Sequence, residues 1–116
     1  MPFWKRSDNG ITDDQRLVVL NLATDEDFSL DEVVRKLGTL EVARGVVADL
    51  RERGMVEFFW KKPKGGRDQI EASAVDHLLY EDTEWLRKKS FSEAYVIVVA
   101  NDKGWRWHQS RWKANS

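Results

Sequence analysis

Cysteine is absent from the 116 residues of the chain, and its absence excludes disulfide bonds and thiolate metal sites. Long apolar runs are absent too, because the longest one, Tyr95 to Ala100, has only the length of a strand. Basic residues in the first ten positions are not followed by an apolar segment, so no secretory signal is predicted. The simplest expectation is a cytoplasmic protein that does not associate with membranes.

A marked excess of charge of one sign is also missing. The formal net charge is -1 at pH 7, whereas domains that bind nucleic acids mainly through phosphates are usually basic. The charges instead alternate along the chain: residues 58–69 have a net charge of +3, and residues 70–86 carry five acidic residues without a lysine or arginine. This distribution predicts surface patches of both signs rather than one basic stripe.

Catalytic motifs are scarce. His77 and Glu81 would share a face of a helix, but two ligands do not make a metal site, and the sequence indicates no third. The segment Lys64 to Arg67 lacks the spacing of a phosphate-binding glycine loop and the Lys-Ser/Thr pair that follows one. No enzymatic activity, metal or cofactor is therefore predicted.

Two capping boxes predict the starts of the first two helices. Thr12 and Gln15 stand at the N-cap and N3 positions of the first helix, which is expected to end near residue 24. Ser29 and Glu32 have the same relation in a second, short helix that ends at Gly38. The second helix carries an apolar stripe at the i, i+3, i+4 and i+7 positions: Leu30, Val33, Val34 and Leu37.

A third helix follows after almost no linker. Thr39 is its expected N-cap, and Gly54 occupies the position just beyond its end. Leu50 and Met55 have the spacing of the hydrophobic contact in a Schellman motif. Residues 55–60 are rich in aromatic and β-branched side chains, which predicts a strand directly after this helix.

The remaining chain is predicted to be less regular. Lys61 to Arg67 contains a proline and a glycine pair, so it is expected to form a loop. Ile70 to Leu79 fits a short helix, and Tyr80 to Ser92 is expected to be irregular with two apolar anchors, Trp85 and Leu86. Tyr95 to Ala100 then reads as a strand.

A hairpin turn is predicted at residues 101–104, which would complete a C-terminal hairpin over about residues 95–110. Trp105 and Trp107 would share one face of the returning strand and close the core, with Arg106 and His108 facing water. Basic residues among tryptophans can also bind single strands by stacking, but the alternation favours the core interpretation. Two further aromatic sites fit either packing on the domain or a dimer interface: Trp112 and the pair Phe3-Trp4.

Ser29 to Phe58, SLDEVVRKLGTLEVARGVVADLRERGMVEF, resembles the helix-turn-helix of bacterial winged-helix regulators. The matching parts are the short second helix, the glycine, the longer third helix and the LRERGMVE passage into a strand. The resemblance implies an α+β winged helix-turn-helix fold, with three N-terminal helices and a β-hairpin. In ordinary members the hairpin follows directly, whereas here Lys61 to Ala94 separates the two wing strands and is expected to be an insertion that carries one helix.

The chain is accordingly predicted to be a single winged-helix domain over residues 1–116. Its helix-turn-helix core would span about residues 12–60, the insertion about residues 61–94 and the C-terminal hairpin about residues 95–110. The composition, 41% hydrophobic and 34% charged, fits one folded domain of this length rather than a disordered chain.

The resemblance implies a protein that binds duplex DNA and regulates transcription. In that function the third helix enters the major groove and the wing contacts the backbone. Thr39 and Arg44 are expected to contact phosphates or base edges, and Glu41 fits only as an acceptor from a cytosine amine. The basic residues of the loop are expected to hold the phosphate backbone: Lys61, Lys62, Lys64 and Arg67. An ordinary solvated face of the third helix and a solvated basic turn are the alternatives.

A winged-helix module that binds a protein instead of DNA is the other functional hypothesis. It rests on the acidic balance of the chain and on Glu41 and Glu52, which lie on the outer face of the third helix. Gly45 and Ala48 leave a gap in which a partner helix or a second copy could lie, although they also fit a neutral substitution. A glycine in mid-helix costs roughly 1 kcal/mol relative to alanine, so a packing reason is worth testing.

Overall fold

Helices and a small antiparallel sheet form an α+β fold. The computed structural model describes residues 10–25, 28–88 and 92–114, with side chains as far as residue 111. The helices of this part are α1 (Asp13–Leu22), α2 (Leu30–Leu37), α3 (Leu40–Glu52), α4 (Ala72–Tyr80), α5 (Thr83–Leu86) and α6 (Asp102–Ala114). The strands are β1 (Val56–Lys61), β2 (Arg67–Gln69) and β3 (Tyr95–Ala100).

The first two helices begin where the capping signals predict. The Thr12 hydroxyl accepts from the Gln15 amide at 3.1 Å, and the Gln15 side chain accepts from the Thr12 amide at 2.9 Å. At α2, the Glu32 carboxylate accepts from the Ser29 amide at 3.2 Å. Gly38 ends α2 with a φ of 99°, a left-handed conformation in which a Cβ would be strained. The predicted starts of α1 and α2 and the predicted end of α2 at Gly38 are confirmed.

The end of α3 is the predicted Schellman motif. The Met55 amide donates to the Leu50 carbonyl at 3.0 Å, and the Gly54 amide donates to the Arg51 carbonyl at 2.9 Å. Gly54 has a φ of 71°. Leu50 and Met55 are both buried, and β1 starts at Val56 immediately after the motif.

The sheet places β1 in the centre, with β2 on one side and β3 on the other, and both pairs are antiparallel. β1 and β3 are the two strands that the sequence assigns to the wing, and all six residues of each are paired. Ser29 forms an isolated bridge with Ile97, and the Val98 amide donates to the Phe28 carbonyl at 2.9 Å. The segment before α2 therefore lies along β3, which is consistent with a winged-helix-like layout.

The insertion between β1 and β3 contains more structure than the single predicted helix, since it forms β2, α4 and α5. The helix predicted for Ile70 to Leu79 corresponds to α4, but the irregular structure predicted after it is wrong where α5 forms. Trp85 is a true anchor, because it is fully buried and its Nε1 donates to the Leu78 carbonyl at 3.0 Å. Leu86 is 63% exposed, so its predicted anchoring role is wrong. Successive helical residues point about 100° apart, and only one of this pair can face the core.

The core draws on both the helix-turn-helix and the insertion. Buried side chains from α1, α2 and α3 pack against the inner face of the sheet and against Val75, Leu79 and Trp85 of the insertion. These three residues are each at most 3% exposed. The α4–α5 segment therefore packs into the same core as the helix-turn-helix. The helix-turn-helix members of the core are Val19, Leu20, Ala23, Leu30, Val33, Ala43, Val46, Val47 and Leu50.

A buried ion pair joins α1 to α3. Arg16 is 4% exposed, and its Nε donates to the Asp49 carboxylate at 2.7 Å. A second guanidinium nitrogen donates to Asp13 at 2.9 Å. The hydrogen bond that Arg16 donates to Asp49 raises the pKa of Arg16 further above its ordinary value, and burial opposes this shift.

The C-terminal hairpin predicted for about residues 95–110 is wrong. β3 forms as expected and pairs with β1, but the chain continues from residue 102 as α6 instead of a returning strand. The Asn101 side chain accepts from the Gly104 amide at 3.0 Å and so caps the helix. Asparagine and aspartate are favoured both in turns and at helix N-caps, and this shared preference explains the wrong prediction.

The tryptophans that follow therefore lie on a helix. Trp105 is 46% exposed and Trp107 is half-buried, so the prediction that they close the core from one strand face is wrong. Arg106 faces water as predicted, whereas His108 is buried and stacks on the Trp105 ring at 5.5 Å between centroids. The predictions for Phe3-Trp4 and for the side chain of Trp112 fall outside the described residues.

Gly104 permits the close approach of α6 to the start of β1. A Cβ built on this residue would lie far inside van der Waals contact with the Met55 carbonyl oxygen and 3.1 Å from Leu20 Cδ2. The same Met55 oxygen accepts from the Asn101 amide at 3.1 Å. The first turn of α6 thus fits directly against the backbone, where only a residue without a side chain has space.

Candidate nucleic-acid interface

The predicted basic loop is the turn of the β1–β2 hairpin. Lys61 and Arg67 form its last paired residues, so the turn itself contains residues 62–66. The Lys62 amide donates to the Gly66 carbonyl at 3.0 Å, and the Gly65 amide donates to the Lys62 carbonyl at 3.1 Å. Gly65 and Gly66 have φ values of 90° and 83°, which non-glycine residues rarely adopt. The prediction that the whole loop is irregular is wrong at its two ends, which belong to strands.

Four cations cluster at this turn, and we call them the basic tip: Lys61, Lys62, Lys64 and Arg67. Lys62, Lys64 and Arg67 are exposed, and Lys61 is half-buried. Lys61 and Arg67 are directly opposite in the β ladder, so their side chains leave the same face of the sheet. The hairpin therefore gathers all four predicted backbone-contacting cations in one place.

Local contacts restrain part of the basic tip without neutralising it. Lys62 pairs with Asp68 at 3.1 Å, with both side chains at least half exposed. The Arg67 guanidinium lies over the Phe59 ring, 4.3 Å from its centroid, which orients the arginine while its charge remains. Asp68 is the only acid in residues 58–69, so the net charge of the segment stays at +3.

The N-terminal end of α3 carries the other three predicted DNA-binding residues. Thr39 is exposed and caps the helix, its hydroxyl accepting from the Val42 amide at 3.1 Å. Glu41 is exposed with its carboxylate in solvent. Arg44 is not directed freely into solvent, because it bonds to Asp82 and its guanidinium lies 5.9 Å from the centre of the Trp85 ring.

The solvent-facing strip of α3 is acidic. Glu41 and Glu52 are its exposed residues, whereas Arg44 and Arg51 are half-buried against the insertion. Both arginines that flank the outer face of α3 thus form ion pairs with carboxylates, which the sequence pattern did not indicate. Thr39 remains a predicted DNA contact, and Arg44 can be one only where Asp82 releases it, so the strip between them and Glu52 offers phosphates no free cation.

The small residues in the middle of α3 face other parts of the chain. A Cβ on Gly45 would meet Ile11 Cδ1 at 3.8 Å, and Ala48 packs against the edge of the core. The gap in which a partner helix could lie is therefore partly filled by Ile11, two residues before the start of α1. A partner at this position stays a prediction.

A groove of about 490 Å³ lies beside the hairpin on the outer face of the sheet. Phe59 and Val99 contribute apolar surface, and acidic and basic side chains stand around it. This mixture does not indicate one class of ligand. The groove is lined by Glu57, Phe59, Arg67, Val99, Ala100, Asn101, Asp102 and Lys103.

Among the described residues, the one pair that the sequence analysis weighed as possible metal ligands is His77 and Glu81. His77 and Glu81 approach to 3.6 Å on the exposed face of α4, as their spacing indicates. Within residues 10–25, 28–88 and 92–111, His, Asp and Glu side chains form no group of three that could hold a metal ion. In the same part of the chain, none of the helices has the length and apolar character needed to cross a bilayer.

Glu84 is the one buried residue among the five acids of residues 70–86. It is 9% exposed; one carboxylate oxygen pairs with Arg87 at 3.1 Å, and the other has no hydrogen-bond partner in the described structure. Burial raises the pKa of Glu84 above its ordinary value, Arg87 opposes this shift and Glu93 adds to it. The charged form of Glu84 is therefore a source of instability in the folded protein.

We expect Glu84→Gln to raise the free energy of unfolding at pH 7 by about 0.5–1 kcal/mol, because no buried charge remains. The folded state holds the Glu84 proton at pH values where the unfolded state has lost it, so wild-type stability falls as the pH rises above the ordinary carboxylate value. The benefit of the variant should therefore vanish near pH 4. Urea unfolding at both pH values measures it, with exposed Glu81→Gln as the control. A benefit of the same size at both pH values would contradict the burial of charge.

Comparisons with known proteins supply no relative for this chain: no family model, no curated protein and no solved structure matches it.

Proposed function

We propose that this chain is a winged-helix protein that binds the phosphate backbone of duplex DNA through the basic tip, in the service of transcription regulation. The observation that carries the proposal is the collection of four cations at one hairpin turn, three of them exposed. In winged-helix proteins a hairpin of the sheet contacts the DNA backbone; here the proposed contact is the β1–β2 hairpin, in which the inserted strand β2 pairs with the wing strand β1.

Counterion release gives the proposal a quantitative form. Each phosphate neutralised by a lysine or arginine contributes about -0.9 to the slope of log K against log salt concentration. The three exposed cations of the basic tip would therefore contribute about -2.7 to this slope. Contacts of this type fix position and supply affinity but carry no sequence information, so the proposal concerns backbone binding and not base readout.

The acidic strip of α3 limits what the helix adds. Glu41 and Glu52 would face the phosphates if α3 entered the major groove, and like charges repel. Thr39, with an exposed hydroxyl at the start of α3, is the residue of this helix best suited to a neutral phosphate contact. We therefore expect a salt-sensitive affinity that depends more on the hairpin than on α3.

The triple variant Lys62→Gln, Lys64→Gln, Arg67→Gln should weaken binding to a mixed-sequence duplex by about 10- to 100-fold at low salt and flatten the salt slope by about 2–3. The reason is the loss of up to three phosphate contacts. Fluorescence anisotropy with a labelled duplex of about 20 base pairs, measured over a range of salt concentrations, gives both quantities.

A matched control removes three exposed cations elsewhere: Arg35→Gln, Lys36→Gln, Arg106→Gln. Both triple variants lower the net charge by three, so a purely global electrostatic effect would reduce binding equally in the two. Equal losses, or unchanged affinity in the hairpin variant, would remove the basic tip from the DNA-binding surface.

A protein-interaction module is the second candidate function, and one observation favours it. The exposed strip of α3 is acidic, and the insertion beside it presents Asp76, Glu81 and Asp82 together with Tyr80, which is 75% exposed, and Leu86. Such a surface suits a basic partner better than a polyanion. If duplex DNA leaves every described amide unshifted in NMR spectra at low salt while a basic peptide shifts those of α3 and the insertion, this second candidate replaces the first.

A further inference from the structure

Arg44 and Arg51 lie on one face of α3. They are seven residues apart, which places them about 20° apart around the helix and about 10 Å apart along its axis. Their guanidinium groups present planar donors that fit phosphate oxygens. The two arginines would therefore form a site for the backbone of one nucleic-acid strand if nothing else occupied them.

Carboxylates of the insertion occupy both arginines. Arg44 bonds to Asp82, and Arg51 bonds to Asp76 and donates to the Ala72 carbonyl at 2.9 Å. The arginine side chains are 26% and 27% exposed, whereas the aspartates are 61% and 62% exposed. From solvent, a phosphate would therefore meet the carboxylates first and be repelled before it reached a guanidinium group.

The insertion has apolar anchors besides the two ion pairs. Val75, Leu79 and Trp85 already anchor α4 and α5 in the core. The Arg44 Nε, moreover, is buried and has no hydrogen-bond partner in the described structure, so Asp82 leaves part of the arginine unsatisfied. The aspartates of both pairs are largely exposed, and an ion pair with a solvent-exposed carboxylate contributes little to stability, which weakens a structural reason for the two pairs.

We infer that Arg44 and Arg51 are a second phosphate-binding site for nucleic acid, which Asp82 and Asp76 of the insertion keep masked as internal substitutes for phosphate. The inference rests on the proposed DNA-binding function and adds two contacts that are separate from the basic tip. Phosphate and carboxylate compete for the same guanidinium donors, so unmasking needs movement of side chains only and leaves α4 and α5 packed.

The variant Asp76→Asn, Asp82→Asn should bind a mixed-sequence duplex about 10-fold more tightly at low salt, with a salt slope steeper by about 1.8 from two added phosphate contacts. Asp82→Asn alone should give about half of this change in slope. Substitution of Arg44 and Arg51 by glutamine in the double variant should return affinity and slope to the wild-type values. Thermal unfolding of each variant confirms that the exposed substitutions leave the fold intact.

Glu71→Gln, Glu81→Gln is the matched control, because it removes two exposed acids of the same segment that no described contact joins to the α3 arginines. An equal gain in this control, or a gain that survives loss of the two arginines, would mean a general field effect and overturn the inference. Unchanged affinity in Asp76→Asn, Asp82→Asn, while the basic-tip variant still loses binding, overturns the inference alone. If neither the wild type nor any variant binds DNA, the proposed function fails with it.

Discussion

Replacement of Gly104 by alanine is expected to lower the free energy of unfolding by about 3 kcal/mol, although alanine is the better helix former. The added Cβ would collide with the Met55 carbonyl oxygen and press on Leu20 Cδ2. The obstacle is backbone rather than the flexible end of a side chain, so α6 must move away from the start of β1. That movement would also disturb the hydrogen bond from the Asn101 amide to Met55.

Gly45→Ala is the matched control, because it places the same methyl group in the middle of another helix. Here the new Cβ would meet Ile11 at 3.8 Å, an ordinary van der Waals distance. We expect this variant to be more stable than the wild type by about 0.5–1 kcal/mol, since alanine loses less backbone entropy. Chemical denaturation of both variants and of the wild type measures the two changes in the free energy of unfolding. Stabilisation of both by similar amounts would contradict the close packing of α6.

Asp49→Ala is expected to lower the free energy of unfolding by about 2–3 kcal/mol. One oxygen of Asp49 accepts from Arg16 at 2.7 Å and from Arg53 at 2.9 Å. Its removal deprives the buried Arg16 of its shortest described carboxylate contact, whereas the contact with Asp13 involves a half-exposed carboxylate. Removing the main partner of a buried arginine lowers the free energy of unfolding more than breaking a surface ion pair does, because the remaining charge stays away from water.

Glu52→Ala provides the comparison for that variant. It removes an acid from the same helix, but Glu52 is exposed, and the effect should stay within about 0.5 kcal/mol. Urea denaturation of the two variants at pH 7 gives the difference directly. A loss for Asp49→Ala as small as that for Glu52→Ala would show that the Arg16–Asp49 pair does not hold α1 against α3.

The parts of the fold that the sequence predicts are those fixed by neighbouring residues. The Thr12–Gln15 box, the Ser29–Glu32 pair and the Leu50–Gly54–Met55 motif are each complete within six residues, and each forms as predicted. The antiparallel pairing of β1 and β3 could also be predicted, because each segment has the composition of a strand and the resemblance implies that the two wing strands form a hairpin.

The wrong predictions concern choices that distant residues decide. Asn101 fits a turn and an N-cap equally well, and the fit of Gly104 against Met55 selects the helix. Leu86 and Trp85 are both apolar, and the packing of α5 decides that only the tryptophan is buried. β2 has only three residues, all of them polar, so its sequence does not indicate a strand. It forms against the edge of β1 that β3 does not occupy.

The candidate site shows the same division. The four cations of the basic tip are evident in the sequence, and the proline and the glycine pair predict the loop that carries them. The hairpin that this loop closes was not predicted, because β2 was missed. The ion pairs of Arg44 with Asp82 and of Arg51 with Asp76 join residues at least 25 positions apart, and no local pattern announces them. The sequence shows that residues 70–86 are acidic, but it does not indicate that two of these acids pair with arginines of α3.

The central claim is that duplex DNA binds to the basic tip of the β1–β2 hairpin. A titration of ¹⁵N-labelled protein with a mixed-sequence duplex at low salt tests it most directly, because it locates the contact residue by residue. We expect the largest amide shifts at residues 61–69 and smaller shifts at the start of α3 near Thr39. Absence of shifts in the hairpin, or shifts confined to the acidic strip of α3 and to the insertion, would contradict it.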